Sequence, residues 1–483
     1  VKISNTYLQL GTAFSESINP LPVADPHLLL WNLSLADQLA LSQGLPDNEN
    51  ALAQLFSGND LLPEASPIAC VYAGHQFGQF NPQLGDGRAH LLCEFVDDHQ
   101  QRWDLQLKGS GPTRYSRRGD GRCALGPAIR EYLMSEALHA LGVPTTRCLA
   151  VVTTGETVYR DLPKPGAVVT RIASSHIRVG SFQYFAAKGD VVSLKTLTDY
   201  TIDRHFPTLK AAANPVLELL GAVMDKQVTL IVEWMRIGFI HGVMNTDNTA
   251  ISGETIDFGP CAMLGIYHPG TVYSSIDSGG RYAFGAQPSI CRWNMARLAE
   301  ALLPLIDEDQ DKALAQAEAL IADFSPRFEQ AYQTMLGAKL GLDEIQQTDV
   351  ALITELLEQM QEQQLDYTQT FHQLTRSLTE QQIATKLQDT LGNWYGQWRQ
   401  RIGNDSKQQQ AAQALMQQSN PVVIPRNHHV EAVLQACELT NSSAPADALL
   451  KVLRSPYQML AETADYQDLP TDNDRHYQTF CGT

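Results

Sequence analysis

Residues 241–248 read HGVMNTDN, and nine positions after the final Asn the tripeptide DFG begins at Asp257. The run before this loop, VTLIVEWMRIGFI, carries a long apolar face directly into His241, so its pattern predicts a packed helix whose end delivers the loop. Such a chain must bury the helix while leaving an imidazole, an amide and a carboxylate beside a second carboxylate that a glycine follows. The fold therefore has to close a core around a polar site.

Composition narrows the classes. At 483 residues the chain is long enough for a core of two lobes with a helical extension. Its 35 basic and 53 acidic residues give a formal charge of −18, which argues against nonspecific nucleic-acid binding and against an anionic membrane surface. No stretch approaches the roughly 20 apolar residues that span a bilayer. The opening VKISNTYLQLGTAFSESINPLP lacks the parts of a secretory signal, so a cytoplasmic location is expected. Eight cysteines, at 70, 93, 123, 148, 261, 291, 437 and 481, form no CxxC pair and no zinc spacing.

Along the chain, residues 1–66 mix short apolar runs with Pro and Gly and read as a wrap-around segment with a few short helices. From 67 to 181 the runs IACVYAG, HLLCEFV, RWDLQLKGSG, CLAVVTT, TVYRD and AVVTRIA have strand character. One helix interrupts them: Ile129, Leu133, Ala137, Leu138 and Leu141 fall at helical spacing, with Gly142 as stop signal. Residues 182–289 begin with helices and end in a Gly-, Pro- and Ser-rich irregular stretch. From 290 to 483 helix formers dominate, the Gln-rich EQMQEQQ and DSKQQQAAQALMQQ read as solvated helix faces, and HHVEAVLQACELT precedes a polar tail. The fold class is α+β.

Four elements follow in a definite order. AGHQFGQFNPQLGDGRAHLL holds Gly74, Gly78, Gly85 and Gly87, where absent side chains permit tight turns and close approach to a polyanion; a plain turn-rich β region reads the same way. Lys108 ends the strand pattern LQLKG, and Glu131 lies 23 residues on within the helix. A lysine over phosphates needs a partner to fix its amine, although an ordinary surface pair is the competing reading. Asn248 and Asp257 offer hard oxygens that suit magnesium. Arg171 and Arg178, seven apart, can converge from a strand and the following helix start to clamp phosphate, or else face solvent. Arg114, Arg117, Arg118 and Arg122 add local positive charge to an acidic chain. Protein kinases use a similar order, but their catalytic-loop Asp would fall at Val243.

With those residues in view, the chain resembles the selenoprotein O family of pseudokinases that AMPylate proteins. The likeness rests on YAGHQFGQFNPQLGDGRAHLL, LQLKGSGPTRYSRRGDGR, AIREYLMSEALHALGVPTTR, HGVMNTDN, DFGP and VVIPRNHHV, and it runs through nearly all of the chain. It implies a protein-kinase-like bilobal fold in which ATP lies reversed, with the α-phosphate toward the acceptor. Lys108 and Glu131 match the phosphate-binding ion pair, Arg171 and Arg178 the extra phosphate-binding arginines, and Asn248 and Asp257 the metal ligands. Gly85, Gly87, Arg88, Asp120 and Gly121 fall in the same motifs and are assigned to nucleotide binding. Asp247 matches the proposed general base.

The activity so implied is transfer of AMP from ATP to Ser, Thr or Tyr hydroxyls of protein substrates, with Mg2+ or alternatively Mn2+, by a monomer that binds neither nucleic acid nor membrane. A catalytically silent nucleotide-binding scaffold and a γ-phosphoryl kinase stand as alternatives. His241 is expected to be structural and Asn245 to hold the loop. Cys481 occupies the family's redox-active place near the C-terminus, but YHPGTVYSSID lacks the partner cysteine that some relatives carry there.

Overall fold

The computed structural model describes residues 2–480. Its principal sheet contains β1 (Lys2–Ile3), β2 (Ser15–Ser17), β3 (His27–Trp31), β4 (Ile68–Cys70), β7 (Ala89–Val96), β8 (Arg102–Lys108), β9 (Cys123–Ala124), β10 (Arg147–Tyr159) and β11 (Pro163–Ala173). The order along the sheet is β2-β4-β7-β8-β11-β10-β3, with β1 paired to β7 and β9 to β11. All the ladders are antiparallel. A small hairpin, β5 (Gly74–Gln76) with β6 (Gln79–Asn81), stands apart from this sheet.

Residues 1–66 do more than wrap. Besides α1 (Leu33–Gln38) and α2 (Glu49–Ser57), they supply strands of the main sheet, with β3 pairing β10. These strands are two to five residues long, too short for a period of two to be read, so periodicity did not reveal them.

The alternation of β8 sorts the two faces of the sheet. Leu105 and Leu107 join Phe56 of α2, Phe95, Val168 and Ile172 in one apolar core. Asp104, Gln106 and Lys108 take the opposite face, because successive side chains of a strand point to opposite sides. On β11 the same rule puts Arg171 on the Lys108 side, since Arg171 pairs with Gln106 in the ladder. Across that face lies α3 (Leu125–Ala140), buried nearly all round because it also packs against two helices of the C-terminal region.

The helices α4 (Val179–Ala187), α5 (Val191–His205) and α6 (Pro215–Ile237) follow. Gly238, at φ 79°, ends α6, and β12 (Phe239–Ile240) pairs with β13 (Ala262–Met263). That two-strand ladder closes the segment between them, so HGVMNTDN and DFG return to one place. Residues from 264 to 283 are irregular, as their composition predicts.

The remainder is helical: α7 (Gln287–Ile306), α8 (Gln310–Ala322), α9 (Phe324–Lys339), α10 (Gln347–Glu362), α11 (Tyr367–Ser377), α12 (Gln381–Leu391), α13 (Asn393–Ile402), α14 (Ser406–Ser419), α15 (Asn427–Thr440) and α16 (Ala444–Leu453). Sequence reading missed α16, whose ten residues start at Ala444 with Pro in the first turn. The tail runs back to the irregular segment, where the Thr479 amide donates to the Tyr273 carbonyl at 2.8 Å. No described helix is long and apolar enough to cross a membrane.

Candidate active site

Strands β8 and β11, helix α3, the start of α4 and the loop before β13 bring the charged side chains together. Lys108, at the end of β8, is bonded to Glu131 of α3 and donates to Asp257 Oδ1 at 2.7 Å. Arg171 donates to Glu131 Oε2 at 2.9 Å and to the same Asp257 oxygen at 2.7 Å. Arg178, which precedes the first turn of α4, lies 3.5 Å from Asp257 Oδ2 and 3.9 Å from Asp86 Oδ1. The surface-pair and solvent-facing readings therefore fail: the Lys108 and Arg171 side chains are 10 % and 2 % exposed.

Electrostatics follow from this packing. Burial alone would push the Asp257 and Glu131 carboxyls up, but Lys108 and Arg171 outweigh it, and Arg178 adds to the effect on Asp257, holding both below the usual carboxylate range. Asp257 sits at φ 66°, a left-handed conformation uncommon for a residue with a side chain. The local turn, with the two basic clamps around it, fixes the carboxylate toward Lys108 and Arg171.

Asp247, on the loop, is linked to this cluster through Arg178. Its Oδ2 accepts from Gln76 Nε2 at 3.1 Å, its carbonyl accepts from Arg178 at 2.7 Å, and its Oδ1 is buried without a hydrogen-bond partner. Burial pushes its carboxyl up to about 6, with the Gln76 bond opposing the shift. Asn248 donates its amide to the Val243 carbonyl at 3.0 Å, which orients the side chain.

The loop is held from many directions. His241 Nε2 meets the Ile256 carbonyl at 2.8 Å and its ring stacks on Trp234, so its role is structural, as expected. Asn245 Oδ1 accepts from the Tyr282 hydroxyl and the Phe77 amide, which shows how it holds the loop. Val243, in the kinase base position, is buried and apolar.

Gln76 is the residue that sequence reading missed. Its signal was present in AGHQFG, where the strand alternation turns Gln76 away from His75, but the glycines drew the attention. The hairpin β5–β6 sits on the loop through the His75 amide, which donates to Thr246 Oγ1 at 2.7 Å. Gly74 is required there: a Cβ would lie 2.4 Å from Asp247 Oδ1.

Gly85 and Gly87 are also needed by the chain's own packing. A Cβ on Gly85 would stand 2.5 Å from the Tyr115 ring, and one on Gly87 would stand 2.8 Å from the Tyr115 carbonyl. They make room for the chain's own loop. Arg88 begins the turn into β7, its carbonyl accepting from the Gly109 amide at 2.7 Å. Asp120 is held by Arg160 at 2.8 and 3.0 Å and by the Arg122 amide, none of them partners of the Lys108 cluster. Gly121 accepts from the Gly111 amide at 3.0 Å and serves that same loop.

The donor set fits a magnesium–polyphosphate. Lys108, Arg171 and Arg178 face the carboxylates of Glu131, Asp257 and Asp86, so a bare triphosphate would leave the site strongly negative unless a divalent cation came with it. The Nε atoms of Arg171 and Arg178 are buried without partners, donors that an anion would satisfy. Asp257, 22 % exposed in its side chain, and Asn248 present the oxygens that such a cation takes.

Among the cysteines, Cys261 and Cys291 are buried, and burial pushes the Cys261 thiol up to about 12 and the Cys291 thiol higher still. Neither is poised as a thiolate. Cys481 lies outside the described residues.

A mixed α+β architecture with a buried lysine–glutamate pair, two arginines and a loop carboxylate defines the class as a nucleotide-dependent transferase. A family model described as protein adenylyltransferase SelO matches residues 1–454, and the chain belongs to that family. It is an enzyme of the nucleotidyltransferase kind, with a family assignment that includes ATP binding and a pseudokinase character. A protein nucleotidyltransferase YdiU of Teredinibacter turnerae is 52 % identical over 485 residues, covering 100 % of both chains. Those of Pseudoalteromonas translucida and Nitrosococcus oceani are 51 % and 50 % identical, covering 99 % of this chain and 99 % and 97 % of theirs.

Proposed function

We propose that this chain transfers AMP from ATP to Ser, Thr or Tyr hydroxyls of proteins through a kinase-like cleft in which the nucleotide lies reversed. The observation that carries the reading is the pairing of buried cations at Lys108 and Arg171 with a loop carboxylate at Asp247, linked through Arg178, while Val243 stands where a kinase would place its base. Terminal phosphates held by the buried cations leave the α-phosphate for the Asp247 side.

The acceptor oxygen attacks the α-phosphorus, the bond to the bridging oxygen of the β-phosphate breaks, and pyrophosphate departs with its electron pair. The hydroxyl proton passes to the Asp247 carboxylate, which the Gln76 bond and the Arg178 contact to its carbonyl hold in place. Lys108 and the two arginines offset charge on the transferring and leaving oxygens. When bound, Mg2+, with Mn2+ as an alternative, supplies further charge neutralisation, and Asn248 and Asp257 are the residues that would hold it.

The test is intact-protein mass spectrometry after incubation with ATP and magnesium, alone and with a protein extract. An adduct of about 329 Da that disappears in Asp257→Ala is expected; one of about 80 Da would mean γ-phosphoryl transfer and overturn the reversed orientation.

A further inference from the structure

His428 and His429 are consecutive residues in the first turn of α15, and the rings lie with centroids 4.1 Å apart, tilted by 38°. Both reach the same carboxylate from across the chain: His429 Nε2 is 2.6 Å from Asp468 Oδ1, and His428 Nε2 is 3.5 Å from Asp468 Oδ2. Consecutive residues of a helix diverge by about 100°, so two imidazoles that meet on one group are held there by more than helix geometry. One donor atom from each of the three residues lies within 4.8 Å of the others.

A second observation points to a ligand. Both ring nitrogens of His428 are buried from solvent and have no hydrogen-bond partner, a cost that a folded protein rarely leaves unanswered. The 3.5 Å approach to Asp468 does not answer it. A cation between the three residues would take the Nε2 lone pair of each imidazole and one carboxylate oxygen.

We propose that His428, His429 and Asp468 form a second metal site, separate from the Asn248 and Asp257 oxygens, that takes a transition-metal dication, zinc first. Two imidazoles and a carboxylate are the donor types that zinc prefers, at about 2.0–2.2 Å, with room for a fourth, solvent ligand. Tetrahedral zinc spaces its donors by about 3.3–3.5 Å, so His429 and Asp468 separate by less than 1 Å as the ion enters. Asp468, 62 % exposed in its side chain, gives the entry path.

The site has a structural purpose. Asn427, next to His428, brackets β13 by accepting from the Met263 amide at 2.8 Å and donating to its carbonyl at 2.9 Å. Asp468 belongs to the polar segment beyond α16. A metal there ties that segment to the helix that steadies the strand after DFG. The cysteines offer no zinc spacing, and these donors come instead from two histidines and a distant carboxylate.

The test uses the full chain, stripped with chelator and then dialysed against zinc chloride in excess magnesium. Metal retained after desalting is measured for the wild type, His428→Asn/His429→Asn and Asp468→Asn. The expected result is one more zinc per wild-type chain than per double-variant chain, a tetrahedral cobalt absorption band that the double variant lacks, and a thermal midpoint that zinc raises in the wild type only. Equal zinc in wild type and both variants, with the same cobalt spectrum, would overturn the site. Asp468→Asn, a change at an exposed position, keeps the test valid if the double variant misfolds: it should also lose the extra zinc, and retention of it would count against the proposal.

Discussion

At the scale of single residues, Asp247 is set by three neighbours that approach from different parts of the chain: Gln76, Gly74 and Arg178. Gly74→Ala places a methyl group against Asp247 Oδ1. Transfer is expected to fall about 100-fold with ATP affinity nearly unchanged, because misplacing a reacting group by about 1 Å costs that much; initial rates and nucleotide titration check it, and a wild-type rate would sink the role. Lys108→Ala removes a cation that faces Glu131 and Asp257. A loss of transfer of about 100-fold or more is expected, the cost of deleting one preorganised donor, and single-turnover rates test it.

Motifs named Lys108, Glu131, Arg171, Arg178, Asp247, Asn248 and Asp257, and the structure joins all but Asn248 in one linked cluster, with Asn248 beside Asp247 on the loop. It does not bring Asp120 there, since Arg160 holds that carboxylate on a separate loop. Gln76 was not legible because its partner lies 171 residues away. A motif shows what a residue can do; it does not show which distant side chain will touch it.

Elements decide how the cluster is carried. The alternation of β8 was readable, and it places Lys108 on the face opposite Leu105 and Leu107. On that face Asp104 receives Arg204 at 2.6 Å and His176 at 2.8 Å. Burial alone would raise the Asp104 carboxyl, but these partners outweigh it and hold it down at about 2. A folded pKa below the unfolded value gives stability that is present above the unfolded pKa and lost as pH falls through the folded one. The unfolded value of 3.8 and the folded value of about 2 place the loss between those pH values. The contribution at neutral pH is about 2 kcal/mol, of which about half is gone at pH 3. Asp104→Asn should therefore destabilise more at pH 6 than at pH 3 in denaturant titrations; an equal cost at both would disprove it. Strands β2 and β3, three and five residues long, are too short to show a period, and only pairing with β4 and β10 made them strands.

At the scale of the whole molecule, Arg130 joins the regions. It bonds to Glu431 of α15, donates to the Tyr477 hydroxyl at 3.2 Å, and reaches the Cys261 carbonyl. Because the neighbouring residue is Glu131, loosening α3 should also loosen the ion pair with Lys108. Arg130→Ala is expected to cost about 1–3 kcal/mol, since it leaves charged and polar partners unmatched, and to weaken nucleotide binding. Thermal unfolding and an ATP titration check both effects, and an unshifted midpoint would disprove the coupling.

The sequence by itself determined the central strands, the longer helices and which side chains bear charge, because helical and strand periods are set by near neighbours along the chain. It also marked the loop after α6, the carboxylate of DFG and the phosphate-directed cations. The tertiary structure alone decided the remainder. The hairpin β5–β6 reaches the loop at Thr246, Gly85 and Gly87 pack against Tyr115, and α3 is buried on both sides. These contacts join residues far apart in the chain, and only the packed fold brings such partners within a bond length.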